Sequence, residues 1–261
     1  MNSLDSGLDY PGVAGKCYLV TGASSGIGKA TAILLSRLGA QVIVTGRNEE
    51  RLAETHAQMA GTKHVVVAAD LCEVEMLSWL KGLIAKAEAP LAGVAHCAGI
   101  RTYDPLRGFK AEKFAQCLTD HTVLAANIFS AACRVKEKNC ELSLVYMSTL
   151  AAHIASSTTA FYGAARSAME SICRSFAVEF SSKMVRCNSI AGGLMAGSSI
   201  ADGFTDMLEG ELYEKTNASY PLGIGSVGDA ANAFAFLLGS ASRWITGITL
   251  TLDGGYSISG R

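Results

Sequence analysis

A phenol and a guanidinium in this sequence are spaced so that together they could move a proton. Tyr162 and Arg166 lie four residues apart at the start of a predicted helix, Ala160–Phe180, and therefore share one helix face. A free tyrosine has a pKa of about 10, which is too high for acid–base work near neutral pH. A neighbouring cation lowers that pKa because it favours the phenolate. The two residues are therefore candidates for proton transfer to or from a small molecule.

A glycine-rich segment near the N-terminus has the composition of a phosphate-binding turn. It follows a short apolar strand, Cys17–Thr21, and opens a predicted helix, Ile27–Leu38. Glycines let the backbone turn sharply and approach a pyrophosphate, which the free N–H groups and dipole of the helix N-terminus then bind. This placement between strand and helix predicts a dinucleotide site. The predicted cofactor-binding residues here are Gly22, Ser24, Ser25, Gly26, Ile27 and Gly28.

The end of the second predicted strand, Gln41–Thr45, indicates which dinucleotide is bound. Dinucleotide folds usually place an acid there, about 20 residues after the glycine-rich turn, to bind the ribose 2′-hydroxyl. This chain has Gly46 and Arg47 instead. An acid would repel a 2′-phosphate, whereas Arg47 would bind it through charge-assisted hydrogen bonds. We therefore predict NADP(H) in preference to NAD(H).

The elements that must position these residues alternate between strand and helix along the whole chain. Hydrophobic residues make up 49% and charged residues 17%, which excludes a disordered chain and suits strands buried on both faces. The expected fold is α/β, a single-domain Rossmann-type doubly wound parallel sheet of about seven strands with helices on both faces. We expect a tail over residues 1–14, the nucleotide-binding domain over 15–261, and a substrate lid at about 195–220.

The remaining composition argues against several other classes of protein. The net charge is −1, so nothing suggests a nucleic-acid partner. No apolar stretch approaches the roughly 20 residues that span a bilayer, and the N-terminus has no features of a secretory signal. The eight cysteines form no CxxC pair, so we expect free thiols and no metal site. These features predict a cytoplasmic protein whose partner is a small molecule.

Several motifs in one order make the chain resemble the short-chain dehydrogenase/reductase family, and most nearly its 3-oxoacyl carrier-protein reductases. The resemblance extends from Gly15 to Tyr256. The matching segments are Thr21–Gly28, Asp70-Leu71, Cys97-Ala98-Gly99, Ser148-Thr149, Tyr162 with Arg166, Asn188–Gly193, Ile245–Gly247 and Asp253–Gly255. The resemblance implies an NAD(P)-dependent enzyme that assembles as a homotetramer or homodimer.

The resemblance also assigns positions along the cofactor. It places Asp70 near the adenine, with Leu71 beside it, and Cys97, Ala98 and Gly99 along the ribose and nicotinamide. The backbone from Gly193 through Met195 would reach the nicotinamide amide.

The catalytic residues that the resemblance implies depart from the usual pattern. Arg166 stands where the family has a lysine that supports the tyrosine and binds the cofactor ribose. A hydroxyl is expected 13 residues before Tyr162, which is Thr149, although a one-residue shift would place Ser148 there. His121 stands where the family has a water-binding asparagine, and a structural histidine remains an alternative.

These observations lead to one function and two alternatives. The expected enzyme is an NADPH-dependent oxidoreductase that reduces a ketone or 3-oxoacyl-type carbonyl, or catalyses the reverse alcohol oxidation, with Tyr162 as proton donor. One alternative is a catalytically weakened dinucleotide-binding protein that acts as a sensor or partner. The other is an isomerase or dehydratase on the same scaffold.

Overall fold

The computed structural model describes residues 10–155, 157–198 and 211–259. Within these residues a seven-stranded sheet has the order β3-β2-β1-β4-β5-β6-β9, and every neighbouring pair is parallel. The expected fold class, a doubly wound parallel sheet, is thereby confirmed. The strands are β1 (Cys17–Thr21), β2 (Gln41–Gly46), β3 (Val65–Ala68), β4 (Leu91–His96), β5 (Leu142–Thr149), β6 (Val185–Gly192), β7 (Met195–Ala196), β8 (Gly225–Ser226) and β9 (Thr249–Leu252).

Helices cover both faces of the sheet because successive side chains of a strand point to opposite faces. In β1, Tyr18 and Val20 belong to one buried apolar cluster, whereas Cys17 and Leu19 belong to the other. The helices are α1 (Gly26–Arg37), α2 (Glu49–Ala57), α3 (Met76–Ile84), α4 (Ala111–Leu118), α5 (Leu124–Val135), α6 (Ala160–Glu179), α7 (Glu211–Ala218) and α8 (Val227–Leu238). Helices α1 and α8 pack on the first cluster, and α3, α5 and α6 pack on the second.

The structure differs from the predicted element boundaries in ways that have local causes. Helix α8, which the sequence predicts over Asp229–Leu238, begins two residues earlier at Val227, because Ser226 and Asp229 form a reciprocal capping box. The sequence predicts a long helix over Glu112–Lys136, either continuous or broken, and the structure has a π-helical turn, Thr119–Val123, between α4 and α5. Part of the expected tail is packed on the domain, since Val13 is fully buried.

The order of the strands places a crevice at the carboxyl end of the sheet. The chain runs outward in one direction from β1 to β3 and in the other from β4 to β9, so the order reverses between β1 and β4. Ligands of such folds bind at this reversal. The segment after β6 is closed at its base by β7 and β8, which pair in parallel. Residues 199–210, in the expected lid, lie outside the described residues. No helix in the described part of the chain has the length and apolar character needed to cross a bilayer.

Candidate active site

One cavity of about 1190 Å³ occupies the carboxyl end of the sheet. The predicted cofactor-binding residues all line it. It is also lined by four of the five predicted catalytic residues, namely Ser148, Thr149, Tyr162 and Arg166. His121 is the exception. The carboxyl ends of the strands and the first turns of α1 and α6 bring these residues together.

The glycine-rich turn between β1 and α1 is shaped to accept a pyrophosphate. Gly22 has φ +66°, and a Cβ there would lie 2.8 Å from the Ala98 nitrogen. A Cβ on Gly28 would overlap the Gly22 carbonyl oxygen. Ser25 caps α1 without a side-chain hydrogen bond, and the first turn carries no acid. The first N–H groups of α1 are therefore available to an anion, and the turn fits the pyrophosphate of a dinucleotide.

Two arginines flank the end of the cavity beside β2. Arg47 and Arg51 both line it, and both side chains are exposed. Neither forms an ion pair with any residue that the structure describes. Arg51 was not predicted as a cofactor-binding residue, although its position four residues after Arg47 could have suggested it. At the next strand end, Asp70 accepts a hydrogen bond from the Cys72 nitrogen at 3.0 Å.

The first turn of α6 lies directly against the loop that follows β5. A Cβ on Gly163 would overlap the Ala151 carbonyl oxygen, so only glycine allows this approach. The contact brings Tyr162 and Thr149 to the same wall of the cavity. The Thr149 hydroxyl oxygen accepts a hydrogen bond from the Ala151 nitrogen at 3.3 Å, whereas the Ser148 hydroxyl donates to a carboxylate oxygen of Glu170. The hydroxyl proton of Ser148 is therefore already committed.

Arg166 is buried between two aromatic rings. Its guanidinium carbon lies 5.0 Å from the centre of the Tyr162 ring and 5.2 Å from that of Tyr146. Its Nη1 donates a hydrogen bond to the Met147 carbonyl oxygen. Burial would lower the pKa of Arg166, but the two phenols hold it above its ordinary value, so the side chain stays cationic. A Cβ on Gly99 would overlap the guanidinium, so the bare backbone there provides the room that arginine needs.

His121 lies in the π-helical turn, behind Tyr162. The two rings meet edge to face with their centres 5.2 Å apart. The side chain is 1% exposed, and its Nδ1 has no hydrogen-bond partner among the described residues. Burial, together with the charge of Arg166, lowers the pKa of His121 to about 3. The imidazole is therefore neutral across the physiological range and is not solvent-facing.

His96 fixes the end of β4 through its contact with β1. Its Nδ1 lies 2.9 Å from the Thr21 hydroxyl, and that hydroxyl also accepts a hydrogen bond from the Ala98 nitrogen at 3.2 Å. The imidazole stacks on Tyr146 with ring centres 5.9 Å apart. Burial lowers the pKa of His96 to about 3, so this contact is made by a neutral ring.

Glu170 is a buried acid beside the site that the sequence analysis missed. Its side chain is 4% exposed; it accepts the hydrogen bond from Ser148 and lies 3.0 Å from His153 Nε2. The spacing of Tyr162, Arg166 and Glu170, each four residues after the last, could have indicated it, because such residues share a helix face.

Comparisons with known proteins find similar chains over nearly the whole length of this one. Residues 22–257 match a family model described as enoyl-(acyl carrier protein) reductase. A glucose 1-dehydrogenase of Gluconobacter oxydans is 30% identical over 95% of this chain and 94% of its own length. A tropinone reductase homolog of Arabidopsis thaliana is 27% identical over 95% of this chain and 94% of its own. A solved short-chain type dehydrogenase/reductase from Mycobacterium ulcerans superimposes with a TM-score of 0.83 at 28% identity, covering 95% and 91% of the two chains.

Proposed function

The chain belongs to the short-chain dehydrogenase/reductase family of NAD(P)-dependent oxidoreductases, and from this premise we propose that it reduces a ketone or 3-oxoacyl-type carbonyl with NADPH, or catalyses the reverse oxidation. The observation that carries the proposal is the cavity at the carboxyl end of the sheet, which joins the glycine-rich turn to the phenol of Tyr162. Named relatives include both reductases and sugar dehydrogenases, which is compatible with either direction.

Residues along the cavity would hold the cofactor from one end to the other. The amides after Gly22 would bind the pyrophosphate, and Arg47 with Arg51 would bind the 2′-phosphate. Asp70 and Leu71 would border the adenine, and the stretch from Cys97 to Gly99 would follow the ribose towards the nicotinamide. When bound, the nicotinamide supplies or accepts the hydride.

Two hydroxyls would act on the substrate oxygen. Tyr162 Oη donates the proton during reduction, and a second donor must hold the carbonyl oxygen in place. We assign that donor to Thr149, because its hydroxyl proton is not used by any hydrogen bond in the described structure. The Ser148 hydroxyl donates its proton in the hydrogen bond to Glu170, so its oxygen can only accept a further hydrogen bond.

Arg166 would act by charge alone. Its guanidinium lies 5.0 Å from the centre of the Tyr162 ring, so its charge would offset the negative charge that develops at the reacting oxygens during hydride transfer. A guanidinium does not release a proton in the working range, so Arg166 cannot exchange protons as a lysine can. The buried, neutral His121 would keep the ring of Tyr162 in place.

We also propose that the protein assembles as a homodimer or homotetramer and is located in the cytoplasm. Homodimer or homotetramer formation is supported by large apolar side chains near the C-terminus, such as Trp244 at 91% exposed and Ile258 at 87%. A cytoplasmic location is supported by the free thiols of the described cysteines.

The test combines binding with turnover. Titration of NADPH and NADH by nicotinamide fluorescence should show tighter NADPH binding, and a panel of ketones and 3-oxoacyl thioesters should reveal net NADPH consumption. Tyr162→Phe should lower kcat by about a hundredfold or more while NADPH still binds. Tyr10→Phe, in the N-terminal segment and outside the cavity lining, is the matched control. Binding without turnover over the panel would favour a sensor, and conversion without net NADPH consumption would favour an isomerase or dehydratase.

A further inference from the structure

The catalytic end of the cavity contains a second arginine, Arg101, which has no acidic partner among the described residues. It lies two residues after Gly99, in the stretch from Cys97 to Thr102 that lines the cavity without a break. Its guanidinium carbon is 4.7 Å from the centre of the Tyr103 ring. Its Nε is buried and has no hydrogen-bond partner in the described structure. A partly buried cation without a counter-charge needs an explanation, because leaving its donors unpaired is unfavourable.

The nearest acids in sequence and in the cavity are already engaged elsewhere. Asp104 forms an ion pair with Lys113 at 3.0 Å. Asp120 accepts a hydrogen bond from the Gln116 side chain at 2.8 Å. The other acid that lines the described cavity, Asp70, belongs to the opposite, nucleotide end, after β3. Arg101 is therefore a cavity-lining cation that forms no ion pair with any residue that the structure describes.

The two arginines that line the cavity at this end differ in burial and in the contacts of their guanidinium groups. Arg166 is 3% exposed, and its guanidinium is occupied by the Met147 carbonyl and two rings. Arg101 is half-buried, and no side-chain hydrogen bond to a described residue accounts for its Nε donor. Tyr220 lines the same cavity and stacks on Tyr256 with ring centres 4.7 Å apart. Arg101 and this aromatic pair therefore line one cavity.

From these observations we infer that Arg101 binds a carboxylate of the substrate. The inference rests on the proposed reductase function and narrows it to carbonyl compounds that carry an acid group, or to the corresponding hydroxy acids. A guanidinium presents paired donors that match a carboxylate in a bidentate arrangement. The aromatic wall of Tyr220 and Tyr256 would contact the apolar part of the same molecule.

The first measurement compares each acid with its neutral counterpart. The probes are 4-oxopentanoate, 5-oxohexanoate and 6-oxoheptanoate with their methyl esters, so that the spacing between carbonyl and carboxylate varies. We expect kcat/KM to favour the acid over the ester by about tenfold to hundredfold for at least one chain length. Arg101→Gln should abolish that ratio, and Arg101→Lys should retain part of it. Arg107→Gln removes an exposed arginine outside the cavity lining, and the ratio should stay unchanged.

The second measurement does not depend on turnover. Calorimetry would compare pentanoate, hexanoate and heptanoate with their amides, on the NADPH complex and on the protein alone. We expect the carboxylates to bind more tightly than the amides in the unmodified protein and in Arg107→Gln, and the difference to disappear in Arg101→Gln. NADPH affinity of Arg101→Gln would report whether the fold is intact.

The two measurements separate the inference from the proposed function. Loss of carboxylate binding in Arg101→Gln without turnover of any carbonyl would retain the anion site and overturn the reductase. Turnover with no preference for acid over ester, and no preference for carboxylate over amide, would retain the reductase and overturn the anion site. An acid preference that survives in Arg101→Gln would also overturn it.

Discussion

The two ends of the cavity are built from different parts of the polypeptide. The nucleotide end consists of bare backbone around Gly22 and Gly28, with exposed cations at Arg47 and Arg51. The catalytic end consists of buried side chains that contact one another, with Arg166 between Tyr146 and Tyr162. The first end depends on what side chains are absent, and the second on how they pack. The two residues that depart from the family pattern, Arg166 and His121, lie at the catalytic end, where neighbouring side chains can adjust to them.

The largest expected effect is at the nucleotide end, from a single methyl group. Gly28→Ala would place a Cβ against the Gly22 carbonyl oxygen, so the backbone of the turn would have to move. We expect the Kd for NADPH to rise by about a hundredfold or more, which is about 3 kcal/mol, in a fluorescence titration. Gly82→Ala in α3 is the control, because a Cβ there meets nothing within 4 Å. Equal NADPH binding by Gly28→Ala and the unmodified protein would contradict a backbone cradle.

At the catalytic end the next largest effect is on stability. Arg166→Ala would leave the Met147 carbonyl oxygen without its donor and a cavity between two rings. We expect the free energy of unfolding to fall by about 2–4 kcal/mol in urea denaturation. Arg174→Ala, on an exposed face of the same helix, should change it by less than about 0.5 kcal/mol. If the two variants lose equal stability, the packed arrangement at this end is wrong.

The smallest effect concerns pH and tests whether the catalytic end is dry. The pKa of His121 is about 3 in the folded protein and 6.5 ordinarily, so the unfolded chain binds the proton first as pH falls. The folded protein should therefore lose stability below pH 6.5, by about 2 kcal/mol at pH 5 from this residue.

His121→Asn should remove the loss of unfolding free energy that His121 causes between pH 6.5 and pH 5, as measured by urea denaturation at both pH values. His56→Gln, at a half-exposed position on α2, is the control and should leave the change in unfolding free energy between the two pH values as it is in the unmodified protein. Identical slopes for His121→Asn and the unmodified protein would mean that water reaches the imidazole.

The same contrast explains what could be predicted from the sequence. The sheet order follows from alternating elements, and the nucleotide end follows from glycine positions, since both depend on local backbone preferences. The start of α8 could also be predicted from Ser226 and Asp229, although the predicted helix began two residues late, at Asp229. The contact of Ser148 with Glu170 could not be predicted, because it depends on how β5 packs against α6. The position of the Arg166 guanidinium depends likewise on three elements that meet only in the folded chain.

The short ladder between β7 and β8 has a consequence for how this protein could acquire new substrates. Met195 pairs with Gly225 and Ala196 with Ser226, so the intervening chain leaves and re-enters the domain at one fixed point. Doubling the length of a loop whose ends are already joined costs only about 0.6 kcal/mol. Insertions and deletions between these residues are therefore tolerated by the sheet. The ladder therefore separates length changes in this segment from the strand order, and such changes are a route to altered selectivity at the catalytic end of the cavity.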